Sequence, residues 1–72
     1  MADAIIRFQD GLETRVTDLT LIRYFPKQGV PKEYDSSKWD NILLDSGRCL
    51  FVGNKENLFT RLENTIFVKI EK

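Results

Sequence analysis

The stretch AIIRFQDGLETRV, residues 4–16, decides the fold, because its pattern predicts a β-hairpin whose pairing can be worked out. Two runs rich in β-branched and aromatic residues, AIIRF and LETRV, flank the turn residues QDG. A loop of three residues, 9–11, gathers the apolar side chains on one face of the hairpin. The cross-strand pairs on that face are Phe8–Leu12, Ile6–Thr14 and Ala4–Val16.

A shorter loop, Asp10-Gly11 alone, is the competing register. It would set Phe8 opposite Glu13 and would mix apolar and charged side chains on one face. Because a slip of one residue exchanges the two faces of a strand, the register with one apolar face is favoured. The longer loop also pairs Arg7 with Glu13. Gly11 then supplies the left-handed backbone that its third position requires.

Residues 18–25, DLTLIRYF, predict a third strand, which ends where Pro26 cannot donate to a sheet. Its apolar side carries Leu19, Leu21 and Phe25. We expect Phe25 in the core. Arg23 falls on the same apolar side near the end of the strand, either at a frayed edge or as a deliberate placement.

Two later stretches predict more antiparallel structure. Residues 41–52, NILLDSGRCLFV, indicate a second hairpin around Ser46-Gly47. Residues 65–71, TIFVKIE, indicate a last strand. Its inward side chains are expected to be Ile66, Val68 and Ile70. Residues 54–63 are compatible with a short helix or with a strand, and the strand or turn is favoured because Thr and Asn are poor residues for a helix interior.

Together these stretches predict a mainly β protein, with residues 1–72 as a single small domain. The expected architecture is a small antiparallel sheet of five to six short strands. We expect it to form a bent or partly closed SH3-like barrel, because closure removes the strand edges that a small sheet cannot otherwise protect. One long aromatic loop and one short helical turn near residues 35–41 complete the predicted fold.

The composition argues against catalysis and against metal or cofactor binding. The chain has eleven basic and eleven acidic side chains, no histidine and one cysteine, Cys49. Without histidine, the common Ser-His and Cys-His arrangements are absent. One thiol cannot form a disulfide within the chain or a tetrahedral metal site by itself. We therefore expect no enzyme activity, no metal and no cofactor.

The sequence also indicates a location. The N-terminal residues MADAIIRFQDG lack the charged leader and the long apolar run of a signal peptide. The longest apolar runs of the chain are too short to cross a membrane. An unpaired cysteine is typical of a reducing compartment, so we expect a cytoplasmic protein with no membrane association.

The stretch YFPKQGVPKEYDSSKW, residues 24–39, contains both prolines, both tyrosines and the only tryptophan. Two interpretations are open. In the first, Trp39 folds over the open end of the barrel and closes the core. In the second, the rings are surface contacts, because the strands already supply apolar residues for the core. Tyr and Trp are also enriched at the energetic centres of protein interfaces.

The leading hypothesis is a non-catalytic protein-binding module, acting as a stand-alone adaptor or as a small inhibitor or regulator of a larger protein. The prolines and Gly29 would hold the loop extended and lower the cost of ordering it on binding. The expected partner-binding residues are Tyr24, Lys27, Lys32, Tyr34 and Trp39. A chain of this size also suits a gene carried by a phage or a mobile element.

The alternative hypothesis is a small β-barrel that binds nucleic acid or a nucleotide. Aromatic rings can stack on bases, and Arg7, Arg15 and Lys38 could contact phosphates. Nucleic acid is the less expected partner, because the basic residues form no stripe along the chain. A third hypothesis is a homo-oligomer in which the last strand or the aromatic loop is buried between copies.

Overall fold

The computed structural model describes residues 2–39 and 46–72. The elements, in chain order, are β1 (Asp3–Phe8), β2 (Glu13–Val16), β3 (Leu21–Phe25), β4 (Lys32–Tyr34), β5 (Arg48–Val52), β6 (Asn57–Arg61), a 3-10 helix (Leu62–Asn64) and β7 (Thr65–Glu71). The strands form two antiparallel sheets. One has three strands in the order β2-β1-β7, and the other has four strands in the order β4-β3-β5-β6. The prediction of a mainly β, antiparallel protein is confirmed, with more strands than expected.

The hairpin β1–β2 has the predicted register. Arg7 lies opposite Glu13, and the Phe8 amide donates to the Leu12 carbonyl oxygen at 2.8 Å. Gly11 has a φ of 92°, in the region that side chains with a Cβ atom rarely adopt. One part of the prediction is wrong, because Leu12 is 67% exposed. It precedes the first residue of β2, so the buried apolar face of the hairpin ends before the turn.

The segment 17–20 carries the chain from the three-stranded sheet to the four-stranded sheet. The Leu19 amide donates to the Ala2 carbonyl oxygen at 2.7 Å, beside the first sheet. The next amide, that of Thr20, donates to the Val52 carbonyl oxygen at 2.8 Å, at the end of β5. Two neighbouring residues therefore bond to different sheets. The 3-10 helix later returns the chain from β6 to β7.

The core is built from the inward side chains of both sheets. The buried residues are Ala2, Ala4, Ile6 and Val16, with Leu19, Ile22, Tyr24, Trp39, Cys49, Phe51 and Leu62. Burying a large apolar side chain such as Phe51 contributes about 1.5–3 kcal/mol. The radius of gyration is 11.3 Å, close to the value of about 11 Å expected for a compact domain of this length.

The face of strand β3 that packs against the core is the opposite of the predicted one. Ile22 and Tyr24 are buried, and each lies opposite a buried residue of β5. The outer face of β3 instead carries the half-buried residues Leu21, Arg23 and Phe25. Both faces of this strand are apolar, so pairing with β5 decides which one is buried. The expectation that Phe25 lies in the core is therefore wrong.

Strand β7 confirms two of its three predicted inward residues. Val68 and Ile70 pack against the core, whereas Ile66 is 59% exposed. The pairing of β7 with β1 steps from Phe67 directly to Thr65. Ile66 is thus an extra residue at a β-bulge, where the alternation of inward and outward side chains is interrupted.

The ambiguous stretch before β7 forms strand β6 and then the 3-10 helix, in agreement with the favoured strand or turn. Asp35 accepts hydrogen bonds from the amide and the hydroxyl group of Ser37, as expected of a residue that caps a turn. The predicted strand at residues 41–45 and the end of the predicted helical turn lie outside the described residues. Strand β5, the other half of that predicted hairpin, lies between β3 and β6.

The predicted SH3-like barrel is not confirmed. Over residues 2–39 and 46–72 the strands belong to two separate sheets and do not join into a closed one. The structure supports a small, compact β fold with two sheets around one core.

Candidate functional site

The aromatic loop closes the core. Trp39 is 7% exposed, and its indole Nε1 donates to the Tyr34 carbonyl oxygen at 2.9 Å. Tyr24 is 8% exposed, and its hydroxyl group donates to the Ser46 carbonyl oxygen. Tyr34 is half-buried and packs against the core. Of the two interpretations of this loop, the geometry matches the one that places Trp39 over the core. Tyr24 and Trp39 leave little of their rings accessible to another molecule in this fold.

The lysines expected around the loop are exposed, and Lys32 lies opposite Tyr24 in the pairing of β4 with β3. Lys32 and Lys38 are exposed. Lys27 lies 3.5 Å from a carboxylate oxygen of Glu63, in the 3-10 helix. The exposed apolar residue of the loop is Val30. Of the five residues predicted to bind a partner, Tyr24 and Trp39 are buried, Tyr34 is half-buried, and Lys27 and Lys32 are exposed.

The outer face of the three-stranded sheet carries arginines that are paired with carboxylates. Arg7 is 3.1 Å from Glu13 and lies over the ring of Phe67, 5.5 Å from its centroid. Arg15 is 2.7 Å from Asp3 and 3.4 Å from an oxygen of Glu71. The Arg15 hydrogen bond is the largest of the effects that lower the pKa of Asp3 below its ordinary value. Arg7 and Arg15, proposed as phosphate contacts, are thus already engaged within the protein.

The outer face of the four-stranded sheet differs in composition. We call it the outer sheet face and define it by the residues that alternate with the buried ones along β3, β5 and β6. These are Leu21, Arg23 and Phe25, then Arg48, Leu50 and Val52, and then Asn57, Phe59 and Arg61. The register aligns them in rows across the sheet. One row is Arg23–Leu50–Phe59, and the next is Phe25–Arg48–Arg61.

Two phenylalanines form an aromatic pair on this face. The rings of Phe25 and Phe59 meet edge to face, with centroids 6.0 Å apart and an interplanar angle of 75°. Their strands are separated by β5, so the rings reach towards each other across that strand. Phe59 remains 55% exposed. A large aromatic ring that is held in place by a neighbour and still exposed is typical of a contact surface.

Two arginines beside these rings have no ion pair with any residue in the described ranges. Arg48 lies directly opposite Arg61 on the neighbouring strand. Like charges in this arrangement oppose sheet formation. Arg23, by contrast, is bound to Glu33 of β4 through Nε at 2.7 Å. The outer sheet face therefore carries a cross-strand arginine pair with no carboxylate partner among residues 2–39 and 46–72.

A cleft of about 410 Å³ lies at the end of the outer sheet face where the two arginines stand. The Phe25 ring forms part of its wall, and its charged lining residues are Lys27, Arg48, Arg61 and Glu63. Three of these are basic and one is acidic, so the described part of the lining has a net charge of +2 in a chain whose formal net charge is zero. The positive charge is local, and it adjoins the exposed aromatic surface.

A second cleft, of about 600 Å³, opens beside Ala2, Leu19 and Trp39. Its apolar wall consists of core residues that expose only a few per cent of their surface. This cleft lies at the margin of the closed core, and its exposed lining is more apolar than polar.

The chemical groups of the described residues do not assemble a reactive site. Burial raises the pKa of the Cys49 thiol to about 12, which removes the thiolate at neutral pH. Within residues 2–39 and 46–72 there is no cluster of three or more Asp, Glu, Cys or His side chains placed to bind a metal ion. Over the same residues, no helix is long and apolar enough to span a membrane.

Comparison of the chain with protein-family models, with curated proteins and with solved structures gives no match. The principal residues of the candidate site, Phe25, Phe59, Arg48 and Arg61, were not among those predicted from the sequence.

Proposed function

We propose that this protein is a non-catalytic protein-binding module, acting as an adaptor or as a small inhibitor or regulator of a larger protein. The contact surface in this proposal is the outer sheet face and not the aromatic loop. The observation that carries it is the exposed Phe59 ring, held by Phe25 and flanked by the arginine pair Arg48–Arg61.

This combination of side chains suits a protein partner. Aromatic residues and arginine are over-represented among the residues that dominate binding energy at protein interfaces. Phe59 and Arg61 project from a rigid strand, so little conformational entropy is lost when they are covered. The outer sheet face thus combines an apolar centre with a charged margin, which is the usual arrangement of such a surface.

The proposal includes the absence of catalysis. The thiol of Cys49 is buried and protonated at neutral pH, and the chain has no histidine. A bent, SH3-like relation between the two sheets also remains part of the proposal. It is supported by the segment 17–20, in which neighbouring residues bond to different sheets.

The test is capture of a partner from the native host, identified by mass spectrometry, with the wild-type chain and two variants as bait. Phe59→Ala removes the exposed ring of the outer sheet face. Leu12→Ala removes a similarly exposed apolar side chain from the hairpin turn of the other sheet. We expect the partner to be captured by the wild type and by Leu12→Ala, and to bind Phe59→Ala more weakly by about 2 kcal/mol or more.

Both variants must retain the fold for this comparison to count, which circular dichroism and thermal unfolding will show. If folded Phe59→Ala captures the partner as well as the wild type does, the outer sheet face is not the contact surface. Loss of capture with folded Leu12→Ala alone would instead place the interface on the three-stranded sheet.

Nucleic-acid binding remains the second candidate, for one reason. The outer sheet face sets aromatic rings beside two arginines that pair with no carboxylate in the described part of the chain, a combination that stacks on bases and contacts phosphates. The contacts would then be Arg48 and Arg61, because Arg7 and Arg15 are held by carboxylates. Anisotropy of a labelled single-stranded oligonucleotide at low salt tests this candidate directly.

A further inference from the structure

We infer that the partner presents an extended segment in which an acidic residue and a large apolar residue are separated by one position. Its carboxylate binds Arg61 and Arg48, and its apolar side chain packs on Phe59. This inference rests on the proposed function and deepens it by naming the chemistry of the partner.

The arginine pair specifies the charge of the partner. Arg48 and Arg61 stand opposite each other and have no acidic neighbour within bonding distance among the described residues. Bringing a carboxylate between them replaces a repulsion with two charge-assisted hydrogen bonds. The planar guanidinium group of arginine matches the two oxygens of a carboxylate better than the ammonium group of lysine does.

The size of the positive region limits the partner to a small number of acidic groups. Glu63 already holds Lys27 at one side of the cleft, and Glu33 holds Arg23 on the other side of the face. These two carboxylates would repel the next phosphate of a polyanion. A nucleic acid normally requires a continuous basic track, which is absent from the outer sheet face as defined. A protein segment with one or two carboxylates fits the space between the two glutamates.

The spacing of the contacts specifies the pattern of the segment. Phe59 and Arg61 are two positions apart on β6 and lie on the same face. Same-face residues two positions apart in a strand are roughly 7 Å apart. An extended partner segment repeats the same distance between its own residues i and i+2. A segment of the form acidic–x–apolar therefore aligns its carboxylate with Arg61 and its apolar group with Phe59.

The test uses synthetic peptides of eight residues in two sets with identical composition. One set carries Glu-x-Leu or Glu-x-Phe, and the scrambled set moves the apolar residue away from the acidic one. Isothermal titration with the wild-type chain is expected to give binding of the patterned peptides with dissociation constants below about 1 mM. The scrambled peptides are expected to bind roughly tenfold more weakly, since each 1.4 kcal/mol is a factor of ten.

Variants of the protein distinguish the contribution of the Arg61 charge to binding from that of its hydrogen-bonding geometry. Arg61→Glu is expected to weaken the patterned peptides roughly tenfold or more, and Arg61→Lys to weaken them less, because lysine keeps the charge but loses the bidentate geometry. Lys32→Glu is the matched control. It makes the same change of charge at an exposed residue of β4 and is expected to leave the affinity within about twofold.

The inference would be overturned by no binding of the patterned peptides at about 1 mM, by equal affinity of both peptide sets, or by equal loss for Arg61→Glu and Lys32→Glu. An oligonucleotide that binds more tightly than the peptides, and is lost with Arg61→Glu, would overturn it in favour of nucleic acid. If capture of a protein partner requires Phe59 but is unaffected by Arg61→Glu, the proposed function stands and this inference fails. If capture requires neither residue, both fail.

Discussion

The two sheets of this protein have outer faces of different character. On the three-stranded sheet, each arginine is matched by a carboxylate, and Ile5 is 8% exposed although it lies on that outer face. On the four-stranded sheet, Arg48 and Arg61 face each other without an ion pair to any described residue, and Phe59 is 55% exposed. The formal net charge of zero conceals this difference, because balance over the chain does not imply balance at each face. Both sheets leave apolar side chains exposed, Ile66 and Phe67 on β7 and Phe59 on β6. The two outer faces therefore differ chiefly in the pairing of their arginines, and the proposed function accounts for that difference by a second molecule.

The largest change in stability is expected for a substitution in the aromatic loop. Because Trp39 is buried in the core and its indole donates to Tyr34, Trp39→Ala should lower the free energy of unfolding by about 3–5 kcal/mol. Urea unfolding followed by circular dichroism measures this change. The control is Val30→Ala, an exposed residue of the same loop, which should change stability by less than about 0.5 kcal/mol.

If Trp39→Ala leaves the stability nearly unchanged while partner binding is lost, the loop is the contact surface after all. The contrast between the two sheet faces would then lose its functional meaning.

The next largest change in stability is expected when an arginine is replaced by glutamate. The free energy of unfolding should rise for this substitution on the four-stranded sheet and fall for it on the three-stranded sheet. Arg61→Glu converts the repulsive cross-strand pair with Arg48 into an attractive one, so it should raise the free energy of unfolding by about 0.2–1 kcal/mol. Arg7→Glu converts the attractive cross-strand pair with Glu13 into a repulsive one, so it should lower the free energy of unfolding by a similar amount. Thermal unfolding of both variants at low salt measures the two shifts.

A fall in stability for Arg61→Glu as large as that for Arg7→Glu would mean that Arg61 serves the fold. Added salt supplies an internal control. Both shifts should shrink as the ionic strength rises, because exposed charges are screened.

The smallest expected effect is a loss of stability at low pH that depends on Asp3. The pKa of Asp3 is lowered, first by the Arg15 hydrogen bond and then by the Asp18 amide. A carboxylate whose folded pKa lies below its unfolded value stabilises the fold fully above the unfolded value of 3.8, and this stabilisation is lost as the pH falls through the folded pKa. The wild type should therefore lose stability between about pH 5 and pH 2 more steeply than Asp3→Asn does. Parallel acid curves for the two chains would show that the Asp3–Arg15 pair does not support the three-stranded face.

The parts of the fold that could be predicted from the sequence are those decided by neighbouring residues. The register of the first hairpin follows from Gly11 and from the Arg7–Glu13 pair, all within one short stretch. The inward face of β3 could not be predicted in the same way. Both of its faces are apolar, and the choice depends on β5, more than twenty residues further along the chain.

The candidate site escaped prediction for the same physical reason. Phe25, Arg48 and Phe59 lie on three different strands and meet only after β3, β5 and β6 have paired. The local signal was Arg23, which interrupts an apolar alternation and in fact marks the outer sheet face. The density of aromatic residues in the loop was a misleading signal, because a ring that closes a core and a ring that binds a partner produce the same composition.

The most direct test of the account is to map the contact on the protein itself. An isotope-labelled chain would be titrated with its captured partner, and amide chemical-shift changes would be recorded by nuclear magnetic resonance. The account predicts that the largest changes fall on β5 and β6, around Arg48, Phe59 and Arg61, with little change in β2. Changes concentrated in residues 30–39, or on the outer face of β1 and β2, would contradict it.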